Sequence, residues 1–127
     1  MADSLNVVLA QLNLLVGDID GNTERIIAAA KAAVADQSAN LVVYPELTLT
    51  GYPPEDLLIR PSLQVRIKRA LEKILKADLP TYIVIGFPEQ VNGSLYNALT
   101  LIKGKQRLIT YHKQCLPNYQ VFDERRY

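Results

Sequence analysis

Residues 41–58, LVVYPELTLTGYPPEDLL, pass from a short apolar segment into a turn, and their reading decides the fold. Leu41-Val42-Val43-Tyr44 has the β-branched, uncharged character of a buried strand. Pro45 interrupts it, and Gly51-Tyr52-Pro53-Pro54 supplies turn residues five positions after Glu46. Glu46 therefore stands at the tip of a core strand, with the backbone constrained on both sides of it.

The segments on either side of this stretch extend the pattern. Residues 7–12, VVLAQL, read as a further buried strand, and residues 17–22 supply turn residues and a helix N-cap. From 23 to 35 the apolar positions Ile26, Ala29, Ala30, Ala33 and Val34 recur at helical spacing. A second helix is predicted over 62–76, with Leu63, Ile67, Ala70, Leu71, Ile74 and Leu75 on its apolar stripe. Leu79-Pro80 ends it, and 82–86 reads as a third short strand. Beyond Gly86 the runs 95–102 and 106–112 form a hairpin around Lys103-Gly104. The fold class is α/β, in the order β-α-β-α-β followed by a β-hairpin. No repeat, low-complexity segment or linker divides the chain.

Composition excludes several functions. The chain has 127 residues, a size at which one domain buries about two thirds of its unfolded surface. A formal charge of +1 gives no field that would gather nucleic acid or an anionic membrane. No apolar run approaches the ~18 residues of a membrane span, and the N-terminus MADSLN lacks a signal pattern, so a cytoplasmic location is expected. A single cysteine precludes an internal disulfide or a multi-cysteine zinc site. The glycines are too dispersed for a phosphate-cradling loop, and no His, Asp or Glu cluster has metal spacing.

Four residues have chemical potential. In α/β sheets ligands bind beyond the carboxyl ends of the strands, where Glu46 falls, and Pro45 partly sets its aim. A carboxylate on the rim of an apolar sheet is partly desolvated, which suits a general base; the alternative is a loop glutamate facing water. Lys113 continues the last strand and shares a face with Ile109 and Tyr111. It reads either as an edge-strand lysine or as a stabiliser of a developing oxyanion. His112 and Cys115, three apart in an extended segment, point to opposite faces and do not make a Cys/His pair. Cys115 reads as a packing residue more readily than as a nucleophile.

YPELTLTGYPPEDLL, followed far downstream by YHKQCLPNYQVFDERRY, resembles the nitrilase, or carbon–nitrogen hydrolase, superfamily. More narrowly, these segments and the opening VVLAQLNLLVGDIDGNTERI are similar to the N-terminal glutaminase domain of glutamine-dependent NAD synthetases. The resemblance covers residues 5–127. It implies that the chain is the first half of an α-β-β-α sandwich, with residues 1–127 forming the N-terminal part of the glutaminase domain. The rest of that domain and the synthetase domain would lie outside the chain.

By the same resemblance, amide hydrolysis uses a Glu-Lys-Cys triad and a covalent thioester. Glu46 matches the general base and Lys113 the lysine that stabilises the tetrahedral oxyanion. Tyr119 matches a tyrosine that holds the substrate glutamine, and Glu124 a second glutamate that supports the lysine. The family's nucleophilic cysteine follows a later strand, and Cys115 does not match it. The chain is thus expected to be an inactive, self-associating fragment of a larger, homo-oligomeric enzyme. That enzyme would use glutamine-derived ammonia and ATP to convert deamido-NAD (nicotinic acid adenine dinucleotide) to NAD. No cofactor is expected in this chain, since ATP and magnesium belong to the synthetase domain. The alternatives are another carbon–nitrogen hydrolase, such as an amidase or carbamoylase, or a catalytically dead half-fold used for binding.

Overall fold

The computed structural model describes residues 4–52 and 60–113. Its elements are β1 (Val7–Leu9), α1 (Ile19–Gln37), β2 (Leu41–Val43), α2 (Leu63–Lys76), β3 (Leu79–Val91), β4 (Ser94–Gly104) and β5 (Gln106–His112). Among the described residues the strands make one sheet in the order β1-β2-β3-β4-β5. β1, β2 and β3 are parallel, and β3, β4 and β5 are antiparallel. The expected α/β order, with an antiparallel addition, is what the chain adopts.

Both helices lie on one face. The two β-α-β units step in the same direction across the sheet, so their crossovers stack on one side. There α1 packs against α2, and both pack against β3. The core is built from the helix stripes, including Ile26, Ala30, Ile67 and Ile74, and from inward strand residues such as Ile83, Ile85 and Phe87. Tyr44 closes the layer from below, its buried hydroxyl donating to the Ile26 carbonyl (2.7 Å).

The other face of the sheet is bare among the described residues. Cross-strand register aligns Leu9, Val43, Val84, Leu101 and Ile109 in one row across all five strands. Leu9 is 68% and Ile109 64% exposed at the two edges of that row. Among the described residues the sheet is thus covered on one side only, whereas layered folds cover the apolar faces of their sheets.

Several boundaries differ from the sequence reading, among them the start of β3, which takes in Leu79-Pro80. α1 begins at Ile19 because Asp18, accepting from the Gly21 N–H (3.0 Å), is the cap. Asn22 lies inside the first turn and is buried. β3 extends to Val91, well beyond Gly86, since Asn92 and Gly93 both take positive φ (51° and 82°) and close a tight hairpin into β4. β1 is short: Ala10 makes one more bond to the Val43 carbonyl (2.8 Å), beyond which ladder pairing does not continue.

Candidate active site

Glu46 leaves β2 through Pro45 and enters a tightly fixed loop. Leu47, next to it, has φ +52°, a left-handed conformation that costs a non-glycine residue about 1 kcal/mol or more. The loop lies directly on β3 at Gly86, where an added Cβ would be 2.7 Å from the Leu47 nitrogen. Leu49 donates to the Gly86 carbonyl (3.2 Å), and the hydroxyls of Thr48 and Thr50 bond carbonyls within the loop. Asn22 pins it from beneath: its amide nitrogen donates to the carbonyls of Leu49 (3.1 Å) and Leu15 (2.8 Å), while its oxygen accepts from the Leu15 N–H (3.1 Å). Leu47 and Leu49 are buried, so Glu46 projects from an anchored base.

Lys113 arrives from the opposite end of the chain. It follows β5, and its backbone N–H extends the β4–β5 ladder by donating to the Asn97 carbonyl (2.9 Å). Its Nζ lies 3.3 Å from Glu46 Oε1, joining residues 67 apart in sequence. The side-chain amide of Asn97 donates to the same oxygen. Among the described residues Glu46 Oε2 accepts no hydrogen bond. The ends of β2 and β5 and the start of β4 thus bring a carboxylate, a cation and an amide donor together.

These groups edge a cleft of about 300 Å³ whose remaining walls include Val43, Val84, Leu99 and Tyr111. The cleft lies on the bare sheet face, so whatever covers that face also encloses the site. Uncovered, the side chains are half-exposed, 44% for Glu46 and 36% for Lys113. The desolvation expected of Glu46 is therefore not supplied by the described residues; the loop sets its position, and the lysine and amide set its polar surroundings. Such a pairing can accept a proton on the carboxylate and present positive charge to a developing oxyanion.

His112 does face away from Lys113, as period-two alternation requires. It stacks on Tyr96 (centroids 4.4 Å apart, 11° between planes) and its Nε2 lies 2.7 Å from Glu89 Oε1. Arg107 donates to Glu89 Oε2 (2.8 Å). Partial burial opposes ionisation of Glu89, but the hydrogen bonds and charges of His112 and Arg107 outweigh it and hold the carboxyl below its ordinary value. This cluster lies apart from the cleft. Cys115, Tyr119 and Glu124 lie outside the described residues. No group of three metal-ligating side chains occurs among the described residues.

Sequence reading missed Asn97 and Gly86. Asn97 carried a usable signal, since a polar residue that disfavours strands sits between Leu95 and Leu99 on an otherwise apolar face. Gly86 carried only its identity, and the loop that crosses it comes from 40 residues earlier in the chain.

The profile of the carbon–nitrogen hydrolase family matches residues 6–127. The glutamine-dependent NAD(+) synthetase of Xanthomonas campestris is 41% identical over 126 residues, which cover 99% of this chain and 23% of that protein. The structure of the glutamine-dependent NAD+ synthetase of Acinetobacter baumannii, in complex with ADP, superposes with a TM-score of 0.89 at 42% identity, covering 95% of this chain and 23% of that one. A Nesterenkonia amidase of the nitrilase superfamily superposes with a TM-score of 0.78 at 22% identity over 89% of this chain, a likeness of fold alone. The chain thus spans about a quarter of the length of the synthetases it resembles.

Proposed function

The chain belongs to the carbon–nitrogen hydrolase family, and on that premise we propose that it is the N-terminal part of a glutaminase domain feeding ammonia to NAD synthesis. Residues 1–127 would be the first portion of that domain in a longer enzyme. The observation that carries the reading is the meeting of Glu46 and Lys113 at the cleft, Nζ to Oε1 3.3 Å. Support also comes from the identity of about 40% to the N-terminal region of glutamine-dependent NAD(+) synthetases.

In this mechanism Glu46 takes the proton of a cysteine thiol supplied by chain beyond residue 127, not by Cys115. The thiolate adds to the carboxamide carbon of glutamine, and Lys113 stabilises the oxyanion that forms on the former carbonyl oxygen. Collapse of the adduct breaks the C–N bond, and Glu46 returns its proton to the departing nitrogen, which leaves as ammonia. Water then attacks the thioester with Glu46 again as base, releasing glutamate and the thiol. Tyr119 holds the glutamine and Glu124 supports Lys113. ATP and magnesium would act in the synthetase part, where transfer of AMP from ATP to deamido-NAD would release pyrophosphate and the ammonia would then displace AMP to give NAD. The parent is a cytoplasmic homo-oligomer. Among the described residues no helix is long and apolar enough to cross a membrane.

The test is the intact mass of the product of the native coding region, with ammonia release measured on glutamine and on simple amides. A product several times heavier than 14.2 kDa that prefers glutamine is expected. A product of 14.2 kDa whose turnover depends on Cys115, or a longer enzyme that ignores glutamine for simple amides, would contradict the reading.

A further inference from the structure

Among the described residues, Asn97 is the one that touches both Glu46 and Lys113 through polar atoms. Its side-chain amide donates to Glu46 Oε1, and its backbone carbonyl accepts from the Lys113 N–H (2.9 Å). It also has a rigid mount. Its neighbour across β3 is Pro88, and the next residue, Ala98, is buried and paired with Phe87 and His112. A carboxylate held by one lysine on a flexible stem rotates freely, whereas a second, planar donor fixed to a central strand restricts which way it faces.

The two donors converge on one oxygen. Lys113 Nζ and Asn97 Nδ2 both approach Oε1, and among the described residues Oε2 has no hydrogen-bond partner. We propose that Asn97 is a positioning residue that fixes the Glu46 carboxylate, so that the oxygen not engaged by Asn97 and Lys113 is the one that accepts the proton. The same residue links base and cation, because its backbone carbonyl accepts from the Lys113 N–H. This inference rests on the reading of Glu46 as general base.

The test uses the full-length product of the native coding region, with the variants Asn97→Ala, Asn97→Asp and Glu46→Gln, each checked for an unchanged melting temperature. Asn97→Ala is expected to lower kcat for glutamine hydrolysis by about 10–100-fold, with KM changed by less than about threefold, as for a misaimed catalytic group. Asn97→Asp has the same shape but offers a donor only when protonated. Its rate relative to wild type is expected to be low near neutral pH and to rise as the solution is acidified, which a space-filling role would not produce. If Asn97→Ala fails to fold, the isosteric Asn97→Asp still decides the matter. Wild-type kcat and pH profile in both Asn97 variants, alongside an inactive Glu46→Gln, would overturn this inference alone. An active Glu46→Gln would overturn the general-base reading and this inference with it.

Discussion

The backbone nitrogen of Leu47 sits so close over Gly86 that a Cβ at position 86 would lie 2.7 Å from it. The loop bearing Glu46 is therefore seated on β3 by the absence of a side chain. Gly86→Ala is expected to push this loop off the strand, at about 1–3 kcal/mol of stability. It should also lower hydrolysis in the full-length enzyme by more than the stability loss alone explains. Denaturant unfolding beside a rate measurement checks both; an unchanged midpoint would show that the loop can move aside freely.

Burial pushes the ionisation of the Tyr44 hydroxyl well above its ordinary value of about 10, since its phenolate would have to form inside the core. A raised folded-state value means that the folded protein keeps its proton where the unfolded chain loses it. The stability involved is intact below about pH 10 and is lost progressively as pH rises beyond that. Tyr44→Phe removes the hydrogen bond to the Ile26 carbonyl, costing about 1 kcal/mol near neutral pH, but should flatten the alkaline limb. Unfolding curves at several alkaline pH values compare the two slopes.

Glu89 behaves in the opposite sense. His112 and Arg107 depress its ionisation in the folded state despite partial burial, so its contribution is present above the unfolded value of about 4.3 and fades as pH falls through the lower folded value. Glu89→Gln should be less stable than wild type at neutral pH, with the gap closing under acid. A gap that persists unchanged at low pH would mean that the cluster packs rather than pairs.

The bare sheet face bears on the behaviour of the 127-residue chain in solution. Its row from Leu9 to Ile109 is apolar across all five strands, an extended surface that monomeric proteins rarely leave open. The chain is expected to self-associate at roughly tens of micromolar. Ile109→Lys, at an exposed position outside the helix-covered core, should weaken that association without unfolding the protein. Light scattering decides; a clean monomer in the wild type would contradict the expectation.

Much of this arrangement is legible in the residues. Helical and strand periodicities place every element in order, Pro45 marks the end of β2, and period-two alternation puts Lys113 on the face of Ile109 and Tyr111. Helix α1 begins early because Asp18 and Asn22 are both good caps, and only tertiary demand for the Asn22 amide at Leu15 and Leu49 decides between them. β3 outruns its expected length because Gly86 and Pro88 resemble a strand end, while Asn92-Gly93 holds the true turn. The long-range wiring is least legible: at the site Asn97 reaches Glu46 over 51 positions, and in the separate cluster Glu89 reaches His112 over 23. No local pattern encodes such contacts.

The most direct measurement is ammonia release from glutamine by the full-length product of the native coding region, compared among wild type, Glu46→Gln and Lys113→Met. Brisk release by the wild type and a loss of at least about a hundredfold in each variant are expected, since each substitution removes a group acting in the transition state. Near-wild-type release by both variants would contradict these roles and would make the meeting of Glu46 and Lys113 at the cleft an ordinary surface ion pair.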